Sequence, residues 1–274
     1  MQETPNKILS PIDVVRRTYQ NLMDNLKSYC LLVYVILFPT FASQYFWPVR
    51  IDPDTSKLDI ILPLILTFSI LVILSIFLFR LFMLGKENLF KLSASKLFDM
   101  MSRSFLYSIA LAMVLVIALF SVGLLFMLIL TIIGSIAGEN TINSILVSTI
   151  GWIGISFFLM LIIFRTLPTF ISIAIGSRTI PMKTAYYYTR ENNKSLLIIG
   201  ICCYLPLTII SAILGYIVGS IGIENDVIMM LISFMIIPIS IAPLALQLSA
   251  GSELYKELIP MDDTVQTNNT GNMV

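Results

Sequence analysis

The residues best placed for chemistry are two arginines embedded in apolar sequence, Arg80 after Leu78-Phe79 and Arg165 after Ile163-Phe164. Hydrocarbon penalises a charge that has no partner, so an ionisable group at such a position is a functional candidate. Gln247 occupies the corresponding place near the end of a later apolar run. Brought together by an internal pseudo-symmetry, Arg80, Arg165 and Gln247 would make a site for an anion or a lipid head group. The competing reading is structural, because each arginine lies near the end of its run and a long side chain there reaches the head groups. No acidic residue lies at comparable depth, and the structural reading is the stronger of the two.

Other chemical templates fail. The chain has no His, which removes the commonest general base and the commonest metal ligand. It contains no H-E-x-x-H, no P-loop, no G-x-S-x-G and no paired carboxylates inside an apolar run. Glu87, Asp99, Glu191 and Glu253 stand among basic residues, where solvated ion pairs account for them. Cys30, Cys202 and Cys203 lie in apolar runs and suggest neither a disulfide framework nor a metal site. The expectation is therefore a non-enzymatic protein with no cofactor.

Three further patterns have a bland reading that outweighs the functional one. Pro39, Pro206, Pro238 and Pro243 interrupt apolar runs; broken helices sometimes line substrate sites, but a kink without function is the better expectation. Gly134-x-x-x-Gly138 and Gly215-x-x-x-Gly219 allow close helix approach, and packing within the bundle is expected of both. Tyr186, Tyr187 and Tyr188 with Lys183 and Arg190 suit interfacial anchoring better than stacking on bases.

The elements that must position these residues are membrane-spanning helices. Of 274 residues, 57% are hydrophobic and 12% charged, with a mean hydropathy of +0.92. Soluble domains carry about 25% charged residues, so the bilayer must be the solvent. The net charge of +1 argues against a nucleic-acid partner. A hydrocarbon core of about 30 Å needs roughly 20 apolar residues, and such runs occur at 29–47, 59–84, 104–137, 144–176, 195–222 and 227–250. The fourth run is too long for one span, and an exit near Arg165 or a bend at Pro168 is expected.

Basic residues orient the bundle. Arg16, Arg17 and Lys27 precede the first run, Lys86, Lys91, Lys96 and Arg103 the third, and Arg178, Lys183, Arg190 and Lys194 the fifth. Basic loops stay cytoplasmic, which places both termini inside a bacterial inner membrane. Tyr45, Phe46 and Trp47 supply an outer aromatic belt. The first 28 residues carry no signal-peptide pattern.

Residues 1–28 form an amphipathic interfacial segment. Ile12, Val15, Tyr19, Leu22, Leu26 and Tyr29 make one apolar stripe. Ser10-Pro11-Ile12-Asp13 is a helix start, with Ser10 as the cap. Arg16, Arg17 and Lys27 lie opposite, suited to anionic head groups at the inner leaflet, as Arg103 and Lys194 are further along.

The segment recurs. Asp24-Asn25-Leu26-Lys27-Ser28 with Pro39 matches Glu191-Asn192-Asn193-Lys194-Ser195 with Pro206 at a constant offset of 167 (191 − 24 and 206 − 39). Arg103-Ser104 opens an intermediate copy. The fold class is thus all-α, polytopic, with about six spans in three units of interfacial helix plus hairpin, a membrane domain over 29–257, and a disordered cytoplasmic tail over 258–274.

This rhythm, carried by Ile12–Ser28, Lys96–Ser104 and Met182–Ser195 with their following spans, resembles the membrane domain of bacterial glycerophosphoryl diester phosphodiesterases and related stand-alone inner-membrane proteins. In those phosphodiesterases a separate soluble domain carries the reaction. The resemblance therefore implies membrane residence near lipid metabolism and no activity of the chain's own. The partners expected are membrane lipids with anionic head groups, or another membrane protein to which this chain is an accessory or scaffold. The alternative is a small-solute transporter or channel with a cytoplasm-facing anion site.

Overall fold

The computed structural model describes residues 8–46, 57–137, 144–176, 180–220 and 226–259. The aromatic belt residue Trp47, the Gly138 end of one small-residue motif and residues 260–274 of the expected tail lie outside them. The described residues are helical: α1 (Pro11–Asp24), α2 (Leu26–Phe46), α3 (Lys57–Leu84), α4 (Ala94–Ala137), α5 (Ser144–Ala174), α6 (Met182–Thr189), α7 (Asn193–Ser220) and α8 (Asp226–Leu258). Five helices are long and apolar enough to cross a membrane, six if the bent pair α1–α2 counts as one span. The protein is a polytopic helical membrane protein.

Consecutive long helices pack as three hairpins, α2–α3, α4–α5 and α7–α8, with α8 touching α1, α2, α3, α5 and α7. The core runs through Leu74, Leu78, Phe79, Phe164, Ile171, Leu196, Ile199 and Leu246, all at most 1% exposed. Close approach is set by two glycines. A Cβ on Gly251 would stand 2.7 Å from Leu167 Cδ1, and one on Gly200 would overlap Met160. Gly215, by contrast, is exposed with nothing within 4 Å. At Gly215, then, the expected close packing within the bundle is not found.

The helix ends explain the loops. Pro11 takes the first turn of α1, where a missing N–H costs nothing. Ser10 makes no side-chain cap, contrary to expectation. Asn25 leaves helical geometry at φ −105°, and its Nδ2 donates back to Asn21 O at 2.9 Å. The chain there turns by 69° into α2. Gly85 (φ 76°) and Gly176 (φ 72°) follow the ends of α3 and α5, in the left-handed conformation that only glycine enters cheaply.

The expected three units differ in form. In the first and last, a short helix breaks before the span, at Asn25 and at the 3-10 turn Arg190–Asn192. At the offset of 167, Thr18 and Ala185, Leu22 and Thr189, Tyr29 and Leu196, and Leu32 and Ile199 are buried in both. The middle copy has no separate interfacial helix, because α4 starts at Ala94 and continues unbroken through Arg103-Ser104 for 44 residues. Nothing at 95–104 stops a helix: there is no proline, no glycine and no asparagine. α5 likewise continues through Pro168 as one helix, and α8 runs on to Leu258, eight residues past the end expected for its span.

Replacing Gly251 by Leu should cost about 1–3 kcal/mol, because the overlap falls at a helix crossing. Replacing Gly215 by Leu should stay within about 0.5 kcal/mol. Thermal unfolding of the two purified variants in the same detergent checks the contrast.

Candidate functional site

Arg80 is 4% exposed on α3, and each of its three nitrogens donates to a backbone carbonyl. Nη2 reaches Asn88 O at 2.9 Å, Nε reaches Leu89 O at 3.3 Å, and Nη1 reaches Ala174 O at 3.4 Å. Ala174 is the last residue of α5, whose terminal carbonyls have no partner of their own. Arg80 therefore ties the turn after α3 to the end of α5 through three of its five N–H groups.

Arg165 does different work. It is half-buried, its guanidinium lies 4.1 Å from the centroid of the Tyr186 ring, and its Nη2 donates to Asn193 Oδ1. It thus fastens α5 to α6 and to the start of α7. The two arginines do not share a site. Arg80 meets α5 at Ala174, nine residues beyond Arg165, or about 13 Å along the helix. Counted from the left-handed glycines the reason is plain: Arg80 stands five residues before Gly85 and Arg165 eleven before Gly176. The positions equivalent by that count are Phe79 and Phe170, whose rings pack at 5.9 Å. Gln247 is half-buried on α8, one turn before Gly251 and so level with the interior side of Leu167.

The densest polar cluster sits where α1 crosses the end of the bundle. Glu253 of α8 is 6% exposed. Its carboxylate receives Lys256 Nζ at 2.7 Å and Asn21 Nδ2 at 3.3 Å, with Arg17 Nε at 3.8 Å. Arg17 also pairs with Glu257 at 2.7 Å, and Asn21 Nδ2 and Lys256 Nζ each donate to Phe82 O, at 3.2 and 3.3 Å. Glu253 was expected in a solvated pair. It is instead a buried carboxylate that joins α1, α3 and α8. Arg17 accordingly faces an internal acid rather than a head group, while Arg16, Lys27 and Lys194 remain exposed and Arg103 pairs with Asp99 on the surface at 2.9 Å.

α1 is held further along its length. Leu9 N donates to Asn192 Oδ1 at 3.0 Å, Ser195 Oγ to Leu9 O at 3.2 Å, and Ser249 Oγ to Thr18 O at 3.2 Å. Its buried line is Val14, Thr18 and Leu22, while Ile12, of the apolar stripe expected to lie against the leaflet, is 75% exposed. Two proline breaks find partners in this neighbourhood. Pro206 has no N–H for Cys202 O, and Tyr19 Oη donates to that carbonyl at 2.9 Å. Pro243 likewise frees Ile239 O, which accepts Ser211 Oγ at 3.2 Å. These prolines are anchoring points, a role the sequence reading had not assigned. A cue was present for the second alone: Ser211 is a hydroxyl residue in an apolar run, whereas Tyr19 stands among polar residues.

A cleft of about 500 Å3 opens beside the start of α1, lined in part by Leu9, Asp13, Arg16, Arg17, Gln20 and Glu257. Two acids and two bases face it, so it carries no strong preference for either charge.

Glu253→Gln should destabilise the chain by about 1–3 kcal/mol, since it removes the buried negative charge that Lys256 and Arg17 share. Asp99→Asn, in an exposed pair, should cost less than about 0.5 kcal/mol. Tyr19→Phe should cost about 1 kcal/mol, and this cost should vanish in a Pro206→Ala background, where residue 206 regains the N–H that Cys202 O lacks. Melting curves of the single and double variants decide both points.

Compared with models of protein families, with curated proteins and with solved structures, the chain finds no match.

Proposed function

We propose that this chain is a non-enzymatic integral membrane protein whose basic end engages anionic lipid head groups. The observation that carries this reading is the distribution of exposed charge at the end where α1, α3, α5, α6 and α8 meet. Among the described residues nine exposed cations stand there (Arg16, Lys27, Lys86, Lys91, Lys96, Arg103, Lys183, Arg190 and Lys194), leaving aside Arg17 with its internal partners, against five exposed anions (Asp13, Asp24, Glu87, Asp99 and Glu191). Large apolar side chains stand beside them: Ile12, Met23, Phe90, Phe98, Tyr186 and Tyr187 are all more than half exposed. Cations interleaved with exposed apolar groups suit the boundary between acyl chains and anionic head groups, where each nearby cation is worth about 1 kcal/mol.

In this reading the basic end faces the cytoplasm of a bacterial cell, both termini lie on that side, and the three hairpins descend from one duplicated unit. The similar burial around Thr18 and Ala185 supports the duplication for the first and last copies. The resemblance to the membrane domain of the phosphodiesterases agrees with a role close to lipid metabolism. A scaffold or accessory role toward another membrane protein belongs to the same reading. Solute transport is disfavoured, because Arg80 and Arg165 have separate partners and do not converge on one site.

Native mass spectrometry of the chain released from its own membrane tests the proposal. The expected result is retention of anionic lipid above its membrane proportion, reduced at least severalfold when Lys86, Lys91, Lys96 and Lys183 are together replaced by Glu. Lipid retained only in bulk proportion by the unaltered protein would overturn it.

A further inference from the structure

Among the described residues, the buried side-chain polar atoms without a protein partner are Ser104 Oγ, Arg165 Nε and Thr169 Oγ1, all on the α4–α5 hairpin. Ser104 is 0% exposed and Thr169 3%. A hydroxyl in a spanning helix ordinarily bonds back to a carbonyl three or four residues earlier, as Ser69, Ser75, Ser121 and Thr166 do here. Ser104 and Thr169 do not take that route.

The register brings the two hydroxyls level with one another. Tyr107 Oη donates to Thr166 O at 3.1 Å, and its ring meets Phe170 at 5.4 Å. Ser104 lies three residues before Tyr107 on α4, and Thr169 three residues after Thr166 on α5. Because the helices of the hairpin run in opposite directions, both steps lead the same way along the interface. Ser104 and Thr169 therefore stand at the same level of the α4–α5 hairpin, and the Tyr107 hydroxyl reaches the Thr169 side chain as well.

We propose that an internal water molecule bridges Ser104 Oγ and Thr169 Oγ1 between α4 and α5, with Tyr107 Oη at the edge of the site. Buried water typically makes two to four hydrogen bonds to groups that would otherwise be unpaired, and three hydroxyls supply them. Its hydroxyl groups both donate and accept, which suits a neutral ligand better than an ion. The bridge matters because α4 has little else to hold it: only 6% of its most apolar window is buried, against 50% for α5.

A double-variant cycle with Ser104→Ala and Thr169→Val in the full chain tests this by thermal unfolding. Each single variant should lower the melting temperature by about 2–4 °C, and the double variant should lower it no further than the larger single effect, since one water is lost once. Neutral or stabilising single effects that add in the double variant would overturn the bridge. Should either variant fail to fold, hydroxyl radicals generated by X-rays from bound water in the unaltered protein provide a second reading. Labelling of Phe170, which is 8% exposed, is expected; its complete protection while lipid-remote exposed tyrosines are labelled would count against the site.

Discussion

A polypeptide in hydrocarbon must satisfy every backbone donor and acceptor from within, and much of this structure follows from that constraint. Six prolines lie inside its helices, Pro39, Pro63, Pro168, Pro206, Pro238 and Pro243, and each deprives a carbonyl four residues earlier of its usual donor. At Cys202 and Ile239 the replacement donor comes from a different helix, Tyr19 of α1 and Ser211 of α7. The repair of a local defect thereby becomes a tertiary contact. Arg80 extends the same logic to helix termini, where carbonyls are orphaned by geometry rather than by proline. Its three nitrogens serve the end of α5 and the turn after α3 at once.

The end of the bundle closes by a second route. α1 crosses it on a largely apolar line of Val14, Thr18 and Leu22. Thr18 tolerates complete burial because its hydroxyl returns to Val14 O at 2.8 Å. Beside that line, Glu253 gathers Arg17, Asn21 and Lys256. A buried carboxylate is tolerable only when such donors compensate for lost hydration, so the cluster works as a unit and fixes where α1 may sit. With its internal charges occupied in this way, the end presents mainly the lysines and arginines that remain outside.

How far the sequence foretold this varies with the physics involved. The spans were legible because bulk apolarity is a property of composition, and α2, α3 and α7 begin and end within three residues of their expected limits. The break at Asn25 was not legible: the apolar stripe read as one helix from Ile12 to Tyr29, and the chain instead bends after Asp24. Nor was the buried line of α1: Val14 and Thr18 lie outside the apolar stripe and are buried, whereas Ile12, within the stripe, is exposed. At a membrane boundary an apolar side chain has two acceptable surroundings, protein and lipid, and hydropathy does not distinguish them. The same ambiguity misplaced Gly215. Arg80 and Arg165 were rightly singled out as unusual, but their partners are carbonyls, an amide and a ring set by tertiary packing. A shared Phe-Arg pair suggested an equivalence that the terminal glycines do not support.

The length of α4 has a consequence for the membrane itself. From Ser104 to Ala137 the helix carries no charged residue, an uncharged rod of 34 residues or about 51 Å. The hydrocarbon layer is about 30 Å thick. Such a rod cannot stand upright in that layer with both ends at the head groups. It leans, emerges, or thickens the lipid around it, at a cost of fractions of a kcal/mol per Å of mismatch. The α4–α5 hairpin therefore makes the protein sensitive to bilayer thickness. Regions of thicker membrane relieve the mismatch, and the chain would partition toward them through elasticity alone, without any head-group contact.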